Sequence, residues 1–287
     1  MEGRAVFEES SHAKYGLFNK SKLKTYEATM DWTTQWAVHI EIIKYIRRLC
    51  SQTTPHSYTK ASHRIYSTST VYYRRFFAEK EVGKTVDPRI VAASSVMFAS
   101  KVEGCVISPQ IIIDVSKKTI DFPFTIHDLI DFERTLIESM KHSLIVWHPE
   151  KDCEDIKNSS SLPEFFCETL QSILNDAYFT DVIVIYQPLE IALGCVVTAG
   201  ILQNCDIRSL LCANDYNLEN VEDVAKEMLR YYSFVNSQDF EKTQVSAQKY
   251  IGALRVYCYF FPSLFSSSFH TSYFLAVRLH HSFIFIS

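Results

Sequence analysis

Six positions of this chain recur one hundred residues further on. Pro88 returns as Pro188, Val91 as Ile191, Ala92 as Ala192, Ser95 as Cys195, Val96 as Val196 and Ala99 as Ala199. Within each set the steps of three and four residues mark one face of an α-helix, opened by a proline at its first turn. The two alanines of each set let neighbouring helices approach closely, as the middle helix of a bundle requires. A repeat on this scale predicts two structural units in tandem, each built around such a helix.

The rest of the pattern is helical as well. Only 7 Gly and 8 Pro occur in 287 residues, too few for a turn-rich β fold. Helices are expected over about 31–52, 56–77, 87–103, 108–116 and 125–142, then 162–178, 188–203 and 217–234. Asp31 and Asp87 are N-cap candidates, and Gly104 suits a helix C-terminus. Leu144 to Pro149 reads as an apolar extended stretch. The charged, then serine-rich residues 150–160 read as a linker. The expected fold class is all-α, two five-helix bundles: 1–30 a polar N-terminal arm, 31–150 the first bundle, 151–240 the second, and 241–287 an irregular aromatic and serine-rich tail. The tail is expected to add little to the core. Its Val256–Val277 segment carries no charged side chain and is long enough to span a bilayer, but Pro262 and its serines make it a poor helix.

Catalytic signatures do not appear. There is no glycine-rich phosphate loop, no G-x-S-x-G elbow and no H-E-x-x-H. The eight cysteines include no C-x-x-C pair, and the closest two, Cys205 and Cys212, are poorly spaced for zinc; free thiols in a reducing compartment are expected. The N-terminus, with Glu2, Arg4, Glu8 and Glu9, lacks the apolar stretch of a signal peptide. Net charge is −4, which argues against a nucleic-acid-binding surface. No cofactor and no metal are expected.

Several motifs, in order, resemble the cyclin family. Thr68 to Phe77, ending Arg75-Phe76-Phe77, is similar to the second helix of a cyclin box. Phe98-Ala99-Ser100-Lys101-Val102-Glu103 resembles the Ala-Ser-Lys-x-Glu signature. Phe132-Glu133 falls where cyclins place a glutamate. Leu144 to Pro149, with Trp147-His148-Pro149, and Leu174-Asn175-Asp176-Ala177-Tyr178 with Thr180-Asp181 look like the cyclin C kind, and cyclin H is the near neighbour.

The resemblance covers about residues 10–236. It implies tandem cyclin boxes and a non-enzymatic nuclear subunit that activates a cyclin-dependent protein kinase. That kinase would resemble cyclin-dependent kinase 8, and Mediator kinase-module subunits would be further partners, with no direct nucleic-acid or membrane partner. The alternatives are a cyclin H-like subunit of the kinase of TFIIH, or a TFIIB-like two-box adaptor. By the same resemblance the kinase-binding residues are Lys101, Glu103, Glu133, Phe98, Phe132, Leu136 and Trp147. Lys101 and Glu133 would pair on the face that meets the kinase αC helix. Gly104 departs from the pattern, because cyclin C proteins usually carry a second Glu there.

Overall fold

The computed structural model describes residues 2–23, 30–54, 59–78, 80–84, 86–141, 143–159, 162–207, 211 and 216–260, with side chains for all of these but 2–5, 22 and 255–260. Among the described residues there is no strand. An N-terminal arm of short helices, α1 (Glu2–Glu9), α2 (Ser11–Tyr15) and α3 (Lys20–Leu23), leads into the first bundle. That bundle comprises α4 (Trp32–Thr53), α5 (Thr59–Phe77), α6 (Pro88–Val102), α7 (Pro109–Thr119) and α8 (Ile126–Ser139). The second contains α9 (Pro149–Ser159), α10 (Glu164–Ala177), the short α11 (Val182–Ile185), α12 (Pro188–Gln203) and α13 (Leu218–Val235), and α14 (Gln238–Phe260) follows.

The repeated helices are the axes of the two bundles. α6 packs against α4, α5, α7 and α8, and α12 against α9, α10, α11 and α13. Ala92, Ala99, Ala192 and Ala199 are all fully buried, as are Val96 and Val196. The correspondence continues past the helices. Gly104 and Asn204 both take the left-handed conformation, with φ of 72° and 52°. Cys105 and Cys205 then return a backbone N–H to Ser100 and Gly200. Both helices therefore end in the same C-terminal motif. Their starts differ. Asp87 caps α6 by accepting from the Arg89 N–H and holds the fully buried Arg89 side chain at 2.6 Å. Gln187 and Glu190 form a capping box on α12.

Two expectations need correction. Residues 150–160 are no linker: up to Ser159 they belong to α9, which buries Pro149, Cys153 and Ile156 against the second bundle. α9 meets α12 and α10 as α4 meets α6 and α5, so it is the first helix of the second unit. Nor is the tail detached from residue 241. α14 lies along α4, with Ala247, Ile251 and Leu254 buried. Its Gln244 and Gln248 amides donate to the Glu41 carboxylate, and Tyr250 Oη donates to the Val82 carbonyl. Residues 261–287, including His280-His281, lie outside the described residues. Among those described, no helix is long and apolar enough to cross a membrane.

The arm is anchored to both bundles. Phe7 packs edge-on against Trp147 at 5.8 Å, and the Trp147 N–H donates to Nδ1 of the buried His12. Farther on, the Phe18 N–H donates to the Val184 carbonyl, and Lys20 pairs with Asp223 at 2.8 Å. Burial and the nearby Arg75 hold the His12 pKa down at about 2, so His12 stays neutral. Burial also lowers the Arg75 guanidinium to about 10.

Candidate protein-binding edge

The C-terminal end of α6 and the middle of α8 meet in an ion pair. Lys101 Nζ lies 2.6 and 2.8 Å from the two carboxylate oxygens of Glu133. The lysine is 43% exposed and the carboxylate 16%, so the pair sits at the protein surface with its acid half sunk in. Lys101 in the last turn of α6 also faces the negative end of that helix's dipole, which favours its charge. Beside it, Val102 is exposed at the helix terminus. Phe132, half-buried, packs edge-on against Phe76 at 5.5 Å.

The remaining candidates are deployed differently. Leu136 is fully buried and Phe98 nearly so, with its ring against Tyr72. Both are core residues of the first bundle and offer no surface to a partner, although the resemblance implied that they would. Trp147 is half-buried under the arm and belongs to the arm's anchorage.

Glu103, two residues past Lys101, is turned away from the Lys101–Glu133 pair, as two helical steps of roughly 100° each require. Its carboxylate is drawn onto α5, where Thr68 Oγ1 lies 2.6 Å away and Arg64 Nη2 lies 2.6 Å away. Gly104 stands in open space, with no atom near its would-be Cβ.

Motifs scattered along the sequence converge behind Glu103. Thr68 Oγ1 is also 2.9 Å from His148 Nε2. His148 Nδ1 is 2.9 Å from the hydroxyl of Tyr178, which follows α10. That hydroxyl donates to Glu150 at 2.8 Å, and Ser67 donates to the same carboxylate oxygen at 3.3 Å. Burial lowers the His148 pKa, opposed in part by Glu150 and Glu103. The two bundles are joined a second time nearby, where the buried Arg74 reaches Asp181 at 3.0 Å and the Phe179 carbonyl at 2.5 Å. Trp36 Nε1 donates to that same carbonyl. The His148-Pro149 junction and the Tyr178 and Asp181 motifs are thus parts of one seam. Sequence reading found them as separate motifs, but Arg64 carried no signal. Among the described residues no cluster of His, Cys, Asp and Glu could hold a metal. The described cysteines are free thiols, and burial pushes Cys50 and Cys153 up to about 12.

Known proteins share both the sequence and the frame. No family model matches the chain. Cyclin-C1-1 of Oryza sativa subsp. japonica is 28% identical over 236 residues, covering 79% of this chain and 89% of the relative. Cyclin-C of Rattus norvegicus is 26% identical over 237 residues, covering 79% and 82%. The chain is cyclin C-like. Its fold recurs in a chain of the yeast RNA polymerase II CTD kinase CTDK-1 complex, with a TM-score of 0.63 at 17% identity, covering 78% of this chain and 74% of that one. It recurs also in the CAK complex of Chaetomium thermophilum bound to ATP-gamma-S, with a TM-score of 0.59 at 14% identity over 95% and 99% of the two chains. The two bundles are tandem cyclin boxes, and Lys101 and Glu133 lie on the first.

Proposed function

We propose that this cyclin C-like chain is a non-catalytic regulatory subunit that binds and activates a cyclin-dependent protein kinase of the transcription machinery. In this reading its partner resembles cyclin-dependent kinase 8, it acts in the nucleus, and its wider assembly is the Mediator kinase module. The single observation that carries the reading is the Lys101–Glu133 pair, set where α6 ends against α8 on a cyclin-box frame. Packed on the kinase αC helix, this edge would hold αC inward, so that its glutamate reaches the ATP-binding lysine. Lys101 would offer its ammonium donors to carbonyls of the partner. The partner face comprises Lys101, Val102, Glu133 and Phe132.

Glu103 is occupied by Thr68 and Arg64, and Gly104 has no side chain, so neither presents a free carboxylate to arginines of the kinase. Activation of the partner would then rest on its own activation-loop phosphate. The test is affinity purification with identification of the associated kinase, followed by calorimetric binding of wild type and Lys101→Glu. Loss of binding with unchanged melting supports the assignment. Equal binding by Lys101→Glu and Glu133→Lys means the edge lies elsewhere.

A further inference from the structure

The seam behind Glu103 is one hydrogen short. It contains four contacts in series: Glu103 to Thr68, Thr68 to His148, His148 to Tyr178, and Tyr178 to Glu150. With both carboxylates ionised and His148 neutral, only three hydrogens serve these contacts: one each from Thr68, His148 and Tyr178. The Tyr178 hydroxyl gives its hydrogen to Glu150 at 2.8 Å, which leaves its oxygen to accept from His148 Nδ1. The imidazole is therefore the Nδ1–H tautomer, and Nε2 is a bare acceptor facing Thr68. The Thr68 hydroxyl, fully buried, has a single hydrogen and two claimants, the Glu103 carboxylate at 2.6 Å and His148 Nε2 at 2.9 Å.

We infer that Thr68 is a two-position switch whose single hydrogen couples the Glu103 carboxylate to the seam between the bundles. With Glu103 claiming the hydrogen, His148 Nε2 faces a lone pair and the seam is loosened. Withdrawal of the Glu103 carboxylate from Thr68 releases the hydrogen to Nε2, completes the chain to Tyr178 and tightens the joint. The switch has two discrete arrangements biased from two sites, which is what coupling physically requires. The charged and titratable groups around it are His12 on α2, His63 and Arg64 on α5, Tyr72 and Arg75 farther along α5, Glu103 after α6 and Glu150 on α9. None of them supplies a second hydrogen to the Thr68–His148 contact.

The first arm of the test uses the free full-length chain and does not rest on the kinase reading. Nitrogen NMR of ¹⁵N-histidine-labelled wild type should show His148 as the Nδ1–H tautomer. In Glu103→Ala the Nε2 resonance should move toward its hydrogen-bonded position, and amide exchange over residues 144–150 should slow several-fold. The double variant Glu103→Ala/Thr68→Val should lose both effects, and Glu103→Ala/Thr68→Ser should keep them. The second arm rests on the kinase reading: binding the co-purified kinase should give wild type the same slowing, and Thr68→Val should bind without it. An Nε2–H tautomer in wild type, or no change in Nε2 on Glu103→Ala, overturns the switch. Failure of the second arm alone removes the kinase as its trigger and leaves the switch itself standing.

Discussion

Replacing Ile251 with alanine should destabilise the whole protein, although Ile251 lies where the sequence reads as a dispensable tail. The side chain is 5% exposed and belongs to the main hydrophobic core, one turn beyond the fully buried Ala247 on the α14 face that meets α4. Truncating a buried isoleucine to alanine costs about 2–5 kcal/mol, the transfer term plus the cavity left behind. For a chain of this size each kcal/mol lowers Tm by about 2–4 °C, so the expected shift is on the order of 10 °C. Ending the chain after Gln244 should cost more. It removes Ala247, Ile251 and Leu254 together, and it takes the Gln248 donor from Glu41 and the Tyr250 donor from the Val82 carbonyl. Thermal melts by circular dichroism on wild type, Ile251→Ala and the truncated chain are the assay. A truncated chain that melts within about 2 °C of wild type, less than one kcal/mol on the same scale, would refute the docking of α14 on α4.

Other outcomes follow from the same packing. Gly194→Ala should destabilise by about 1–3 kcal/mol in chemical denaturation, because overpacking strains a filled core; its new Cβ would fall 2.3 Å from Val224 Cγ1. Glu133→Lys alone should alter folding stability by less than about 1 kcal/mol, the usual worth of a part-exposed pair, while it abolishes kinase binding in calorimetry. His12 is held neutral with its pKa lowered from 6.5 to about 2, so the unfolded chain binds the proton that the folded chain refuses. Stability should fall as pH drops below about 6.5, and melts of His12→Gln should show a shallower decline between pH 6.5 and 5. Asp31, held at about 2 by the Thr33 and Thr34 hydroxyls, works the other way round in charge. Its capping contribution is full above 3.8 and lost as pH falls toward 2, so Asp31→Asn should melt alike with wild type only at the acid end.

The bundle axes were legible because a helix buried on most sides has little freedom in sequence: Ala92 and Ala192, like Ala99 and Ala199, leave no room for anything larger. α9 was missed because its polar residues dominate its composition. Its signal was sparse, only Pro149, Cys153 and Ile156 at steps of four and three. The same sparse stripe, Ala247, Ile251 and Leu254, hid α14 among glutamines and lysines. Lys101 and Glu133 could be singled out as a pair only through the resemblance, since thirty-two residues separate them and no periodicity links α6 to α8. Leu136 was misjudged because an apolar residue one turn from Glu133 fits a partner face and a core equally well; burial alone separates them. The seam of Thr68, His148 and Tyr178 was out of reach for the same reason, as its members come from three elements brought together by tertiary packing.

The docking of α14 on α4 has a consequence for how the chain is made. Glu41 leaves the ribosome about 200 residues before the glutamines that satisfy it. At about 5–20 residues per second, that gap lasts on the order of ten seconds or more. Throughout it the first box has its repeat partner helices but not its cover, and the α4 face that will receive Ile251 stands open to water. Such contacts of long sequence separation are the slow ones to form. Until the stretch from Gln238 to Leu254 has been made, the nascent first bundle carries an uncovered apolar face, the kind of surface through which unfinished chains aggregate.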